Sequence, residues 1–213
     1  MIARTIFGVV AAAVLTFAPA LAQQQNVRVR GTIERVDGPV LTVKSRDGET
    51  LSLTLSDDVK IVAMVEASLA DIKPGSFVGT TALPQSDGRW RAVEVHILPE
   101  AMRGVGEGDR PNDYRPQSTM TNGTVGSVAG GPGGAMVAKT EGAKTEGVTL
   151  TLNYKEGEKK IDVVTETIIY TYAQGSRDEL KAGAIVTAAG TRQNDGTLMA
   201  ARINVARGII PPM

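Results

Sequence analysis

No cysteine occurs anywhere in the 213 residues, and histidine occurs once. The first absence excludes disulfides, thiolate metal sites, thiol nucleophiles and redox work, so the fold is held by its core alone. The second excludes the imidazole clusters that transition-metal sites normally need, and it leaves a Ser-His-Asp triad nothing to build on. An excess of charge of one sign is missing too: 23 Lys+Arg stand against 23 Asp+Glu, which gives no pull toward nucleic acid or an anionic membrane. Aromatics are few, with one Trp, four Tyr and three Phe, so a base-stacking platform for single strands is not expected. Beyond residue 22 there is no long apolar run, and stable membrane insertion of the remainder is not expected.

What is present begins with a leader. Arg4, the apolar run Ile6 to Phe17 and the small-x-small site Ala20-Leu21-Ala22 have the layout of a secretory signal peptide over residues 1–22, with cleavage expected between Ala22 and Gln23. That predicts a periplasmic or secreted protein, and the absence of Cys after the site excludes a lipid-modified N-terminus.

The remainder repeats itself. LTVKSRDGETLSL from Leu41 matches LTLNYKEGEKKID from Leu150, and DIKPGSFV from Asp71 matches ELKAGAIV from Glu179. PQSDGRWRAVEVHI from Pro84 returns as RQNDGTLMAARINV from Arg192, and GTIERV from Gly31 as GTVGSV from Gly123. Four signatures in conserved order mark a duplicated domain. Within each copy, apolar and polar residues alternate, as in VRVRGTIERV and VTLTLNY, which is the period of half-buried strands. Asp47-Gly48, Asp87-Gly88 and Asp195-Gly196 supply hairpin turns. Ser68 to Lys73 and Ser176 to Lys181 each allow one helical turn. Five or six short strands in about 75 residues avoid unpaired edges by curling into a closed barrel or a tight sandwich. The helical turn before the penultimate strand favours an OB-like barrel. The expected fold is therefore all-β, with two tandem OB-like barrels over 26–98 and 122–207. They are joined by a Gly/Pro-rich linker over 99–121 and followed by a tail over 208–213. A long hairpin insertion at 129–147 contains AKTEG twice in tandem, from Ala138 and from Ala143.

The pattern GT(I/V)xxV, (D/E)(I/L)KxG and DGxxxA, present once in each half, resembles a family of exported bacterial proteins. These are built from repeated small β domains and are catalogued as a domain of unknown function. PEAMRGVGEG…STMTNGTV resembles that family's inter-domain segment. Some relatives carry an automatic label of metal ABC transporter permease; a chain without a spanning segment after its leader does not fit that label's literal meaning. The resemblance implies the fold but supplies no catalytic residue.

Individual side chains are read conservatively. His96 alternates with Val95 and Ile97, so strand parity points it away from the core beside Glu94, as a solvated face residue. Tyr170 and Tyr172 replace Ile61 and Ala63 of the first copy and are read as core, and Trp90 likewise. Asp57-Asp58 and the acids of EGDRPND (Glu107 to Asp113) lack the ligand spacing of a calcium loop. GGAMVAKT from Gly133 lacks the glycine before lysine that a phosphate-binding loop requires. No metal ligand, cofactor or catalytic residue is expected. The reading is a non-catalytic binding or adaptor protein of the cell envelope, its partner or ligand unidentified. Accessory metal handling and carboxylate-based hydrolysis are the alternatives. The expected partner surface lies in the linker at Arg103, Glu107, Asp109, Arg110, Asp113 and Tyr114, where it meets both barrels.

Overall fold

A computed structural model describes residues 26–130, 138–140, 143–145 and 147–212. The expected signal peptide over residues 1–22, and the part of the GGAMVAKT stretch from Gly133 to Val137, lie outside the described residues. The described chain is all-β apart from three one-turn 3-10 helices. The first copy contributes β1 (Asn26–Asp37), β2 (Val40–Ser45), β3 (Thr50–Glu66), β4 (Phe77–Pro84) and β5 (Trp90–Ile97). The linker adds β6 (Gly108–Pro111). The second copy contributes β7 (Thr119–Gly130), β10 (Gly147–Tyr154), β11 (Gly157–Val164), β12 (Ile168–Gln174), β13 (Ile185–Arg192) and β14 (Leu198–Arg207). Between β7 and β10, the two AKT triplets of the tandem repeat form β8 (Ala138–Thr140) and β9 (Ala143–Thr145), which pair with each other.

The pairings close two rings. In ring I, β1 pairs β2, β2 pairs β3, β3 runs parallel to β14, β14 pairs β13, and β13 returns to β1. In ring II, β7 pairs β10, β10 pairs β11, β11 runs parallel to β5, β5 pairs β4, and β4 returns to β7. Each ring therefore takes three strands from one copy and two from the other. This corrects the expected division into a barrel over 26–98 and another over 122–207: neither copy closes on itself. The cores follow the rings. One cluster unites Ile33, Leu41, Val43 and Leu53 with Val186 and Ile203; the other unites Val78 and Val95 with Leu150, Leu152, Ile161 and Val163. In both, the inward positions of the alternating strands fill the ring, as period-2 patterning requires.

The crossing is built at the join. The second half of β3 stays paired with β14 on one side and on the other pairs antiparallel with β12, from Val62↔Gln174 to Glu66↔Tyr170, while β12 runs parallel to β5. The register is two-fold: Met64 faces Tyr172 and Ala63 faces Ala173, and Ala63 and Tyr172 occupy equivalent places in the two copies. The chain then crosses over at Ala67, whose N–H donates to Ile169 O, and at Gly175, whose N–H donates to Ile61 O. A Cβ on Gly175 would come to 2.8 Å of Ile61 Cγ2, so this crossing needs glycine.

Beyond each crossing lies a helical turn where the sequence places one, over Leu69–Asp71 and Arg177–Glu179. The Asp71 and Glu179 carboxylates accept the N–H of Ser68 and Ser176, respectively, at 2.8 Å, the reach-back half of a capping box. Ile72 and Leu180, which follow these turns, enter the core of the opposite copy's ring. The Asp-Gly hairpins also form as expected: Gly48, Gly88 and Gly196 take φ of 86°, 80° and 86°, a region glycine adopts without Cβ strain.

Candidate binding cavity between the rings

A cavity of about 520 Å³ opens on the pseudo-two-fold axis where the rings meet. Its lining side chains come from equivalent strands. On β4 and β5, Thr81 pairs with Glu94 and Gly79 with His96; on β13 and β14, Ala189 pairs with Arg202 and Thr187 with Asn204. All of these except Gly79 line the cavity, and β12 and β3 add Tyr170, Tyr172 and Met64 from the axis itself.

The ring II wall is an ordered polar network. Glu94 is 8% exposed; its Oε1 accepts from Thr81 Oγ1 at 2.8 Å and its Oε2 from the Tyr170 hydroxyl at 3.1 Å. Asn112 Nδ2 donates to Thr81 Oγ1 at 2.8 Å, which ties the linker into the network. His96, 7% exposed, stacks on Tyr170 at 5.5 Å between centroids and meets Tyr172 edge-on at 5.9 Å. Burial holds the imidazole below its usual value against the pull of Glu94, and Arg110 pushes the same way as burial. The Tyr170 hydroxyl is raised well above its usual value, first by burial and then by Glu94. Glycine at position 79 makes room for this arrangement, since a Cβ there would overlap His96 Nε2 and come to 2.6 Å of Asn122 Oδ1. Two buried atoms of the wall, His96 Nδ1 and Asn122 Oδ1, have no hydrogen-bond partner among the described residues. Because Asn122 Nδ2 donates to Val105 O at 3.1 Å, its oxygen is the atom left without one.

The ring I wall is cationic. Arg28 and Arg30 stand on β1, Arg46 on the turn after β2, and Arg202 on β14. The linker straps the opening. Its β6 continues the edge of β7, Asp109↔Thr121 and Gly108↔Asn122, beyond the point where β10 stops pairing. Asp113 then reaches ring I, accepting from Arg30 Nη1 at 2.8 Å, and that hydrogen bond holds its carboxyl below the usual range. Pro211 and Pro212 of the tail complete the lining.

The six linker residues expected to form one surface are divided. Arg110, Asp113 and Tyr114 line the cavity. Arg103 turns away, bonding Gly75 O and Glu100. Asp109 is held by Lys159 at 3.0 Å and by Thr121 at 2.7 Å, and Glu107 is exposed. His96 corrects its reading as a solvated residue: it does leave the core on the Glu94 side, but the axis strands cover it. Tyr170 is buried as expected, at 5% exposure, but it and Tyr172 line the cavity and belong to neither ring's core cluster. Trp90 does pack on the ring II core, with Lys159 Nζ 3.5 Å from its ring centroid. Arg28, Arg30 and Arg202 were not singled out by the sequence, since nothing local to β1 or β14 says what covers their outer face.

Among the described residues, no group of three or more His, Asp or Glu is placed to hold a metal, and no helix is long and apolar enough to cross a membrane. Comparison with known families matches residues 146–204 to a domain of unknown function, DUF5666. No curated protein and no solved structure matches the chain. The matched segment runs from β10 to β14 and so contributes strands to both rings.

Proposed function

We propose that the chain is an exported, non-catalytic binding protein of the cell envelope whose ligand occupies the cavity on the pseudo-two-fold axis. The observation that carries this reading is the pair of buried polar atoms, His96 Nδ1 and Asn122 Oδ1, left unpartnered at a cavity of about 520 Å³. Buried polar atoms normally find partners, and the volume is that of a small-molecule site. The two carboxylates of the lining, Glu94 and Asp113, are each engaged by protein donors, which suits recognition better than proton transfer. Each ring has the order first, second, third, fifth, fourth strand of an OB-like barrel, and the leader over residues 1–22 supports export. Thermal-shift screening of the mature chain against a library of small metabolites tests the proposal. A ligand should raise the melting temperature of the native chain and not that of Ala189→Trp, which fills the cavity from the ring I wall. Equal shifts in both proteins, or no shift with any compound, would overturn it.

A further inference from the structure

We infer that the ligand is a small organic anion, its acidic group held by the arginine wall and a hydrogen-bond donor on its body directed to Asn122. The inference rests on the cavity being the binding site and specifies what enters it. Five guanidinium groups line the space, Arg28, Arg30, Arg46, Arg110 and Arg202, against the carboxylates of Glu94 and Asp113. Glu94 already holds two hydroxyl donors on the opposite wall, and Asp113 bonds Arg30 and feels the charge of Arg28 from further off, which leaves one carboxylate shared between two guanidinium groups. Arg46 spends one Nη on the Asp113 carbonyl at 3.4 Å and pairs loosely with Asp47 at 3.6 Å, and Arg110 donates to Gly106 O at 2.6 Å. Arg202 uses only Nε, on Asn204 Oδ1 at 3.2 Å. The Arg28 side chain makes no hydrogen bond or close ion pair among the described residues, and its charge reaches Asp113 only from further off. Like charges gathered at a partly enclosed site repel and lose hydration unless an anion compensates them, and a guanidinium fork matches a carboxylate or phosphate in bidentate fashion.

The rest of the lining defines the rest of the ligand. Met64, Leu98, Met102, Val105 and Met120 give an apolar surface, and flexible thioethers adapt to irregular bodies. The triad of His96, Tyr170 and Tyr172, with centroids 5.5 to 5.9 Å apart, suits a ring-sized body. Asn122 Oδ1 can only accept, so the group beside it must donate. An acid, an apolar ring and a hydroxyl make a hydroxylated aromatic carboxylate.

Isothermal titration calorimetry with 4-hydroxycinnamate, cinnamate and 4-hydroxycinnamyl alcohol separates these features. The first should bind; removing its carboxylate should weaken binding at least tenfold, and removing its hydroxyl by about tenfold, by the usual worth of charged and neutral hydrogen bonds. Arg28→Ala and Arg202→Ala should each weaken the acid about tenfold while leaving the alcohol unchanged and the melting temperature near native; Arg→Lys should recover part of the loss. Failure of all three probes to bind at millimolar concentration would overturn the assigned ligand class, leaving the cavity to the metabolite screen. Equal binding of acid and alcohol, or arginine variants that bind the acid normally, would overturn the anion assignment while the cavity stood. Undiminished binding to Ala189→Trp would overturn the cavity itself.

Discussion

Ring II presents Thr81, Glu94 and His96 to the axis at the places where ring I presents Ala189, Arg202 and Asn204. The interior positions of the same strands stay apolar in both: Ala92 matches Ala200, and Val95 matches Ile203, all buried. The two halves thus share one packing constraint, inside the rings, and differ at the axis. One wall carries a hydrogen-bonded carboxylate and a buried imidazole stacked on tyrosine, the other a bank of guanidinium groups. A cavity with two unlike walls can orient a ligand that has two unlike ends, which a symmetric one cannot.

The sharpest way to break this comparison is to separate the halves. If each ring needs both copies, residues 26–98 and 122–207 expressed alone should form no folded monomer. Each should aggregate or dimerise by lending β4–β5, or β13–β14, to a second copy, and mixing should restore a one-to-one complex. Size-exclusion chromatography with light scattering and far-UV circular dichroism would read this; folded monomeric halves would refute the exchange. Next in size is Gly79→Ala. Its Cβ meets His96 and Asn122, so a loss of about 1–3 kcal/mol is expected from overpacking, measured by urea denaturation. Thr187→Ala, at the equivalent place in ring I, should be near neutral. The smallest effect concerns pH. Because burial lowers the folded pKa of His96 below 6.5, the unfolded chain binds a proton there first as pH falls. Stability should therefore decline below about pH 6.5, with a slope of at most about 1.4 kcal/mol per pH unit, until the folded imidazole also titrates. His96→Asn, which installs the ring I residue, should flatten that slope in denaturation profiles at successive pH values.

Much of the fold was legible. Alternation located Leu41, Val43, Leu150 and Leu152 in the cores, the Asp-Gly pairs located the hairpins, and the serine-led segments located the helical turns. The exchange was not legible, for a physical reason: a barrel closed by its own β4–β5 and one closed by the other copy's use nearly the same contacts, so the same residues serve both. What selects the exchanged form is the continuation of β3 through Met64 and Glu66 into the ladder with β12, and a run of alternating residues does not say which strand it will meet. The cavity was illegible for the same reason. Parity set His96 and Glu94 on one side of β5, but what covers that side comes from Tyr170 and Tyr172, about 75 residues on in the chain. The linker residues fared in between, because Asn112 and Asp113 bridge the rings while Arg103 and Asp109 serve local contacts.

The pairing of β1 with β13 and of β3 with β14 also fixes an order of events for a chain delivered N-terminus first. Ring II has all its strands once Val164 emerges, but ring I stays open until Arg207 does, so the strands made first are the last to be enclosed. Through nearly the whole of synthesis β1 to β3 wait without the partners that close their ring.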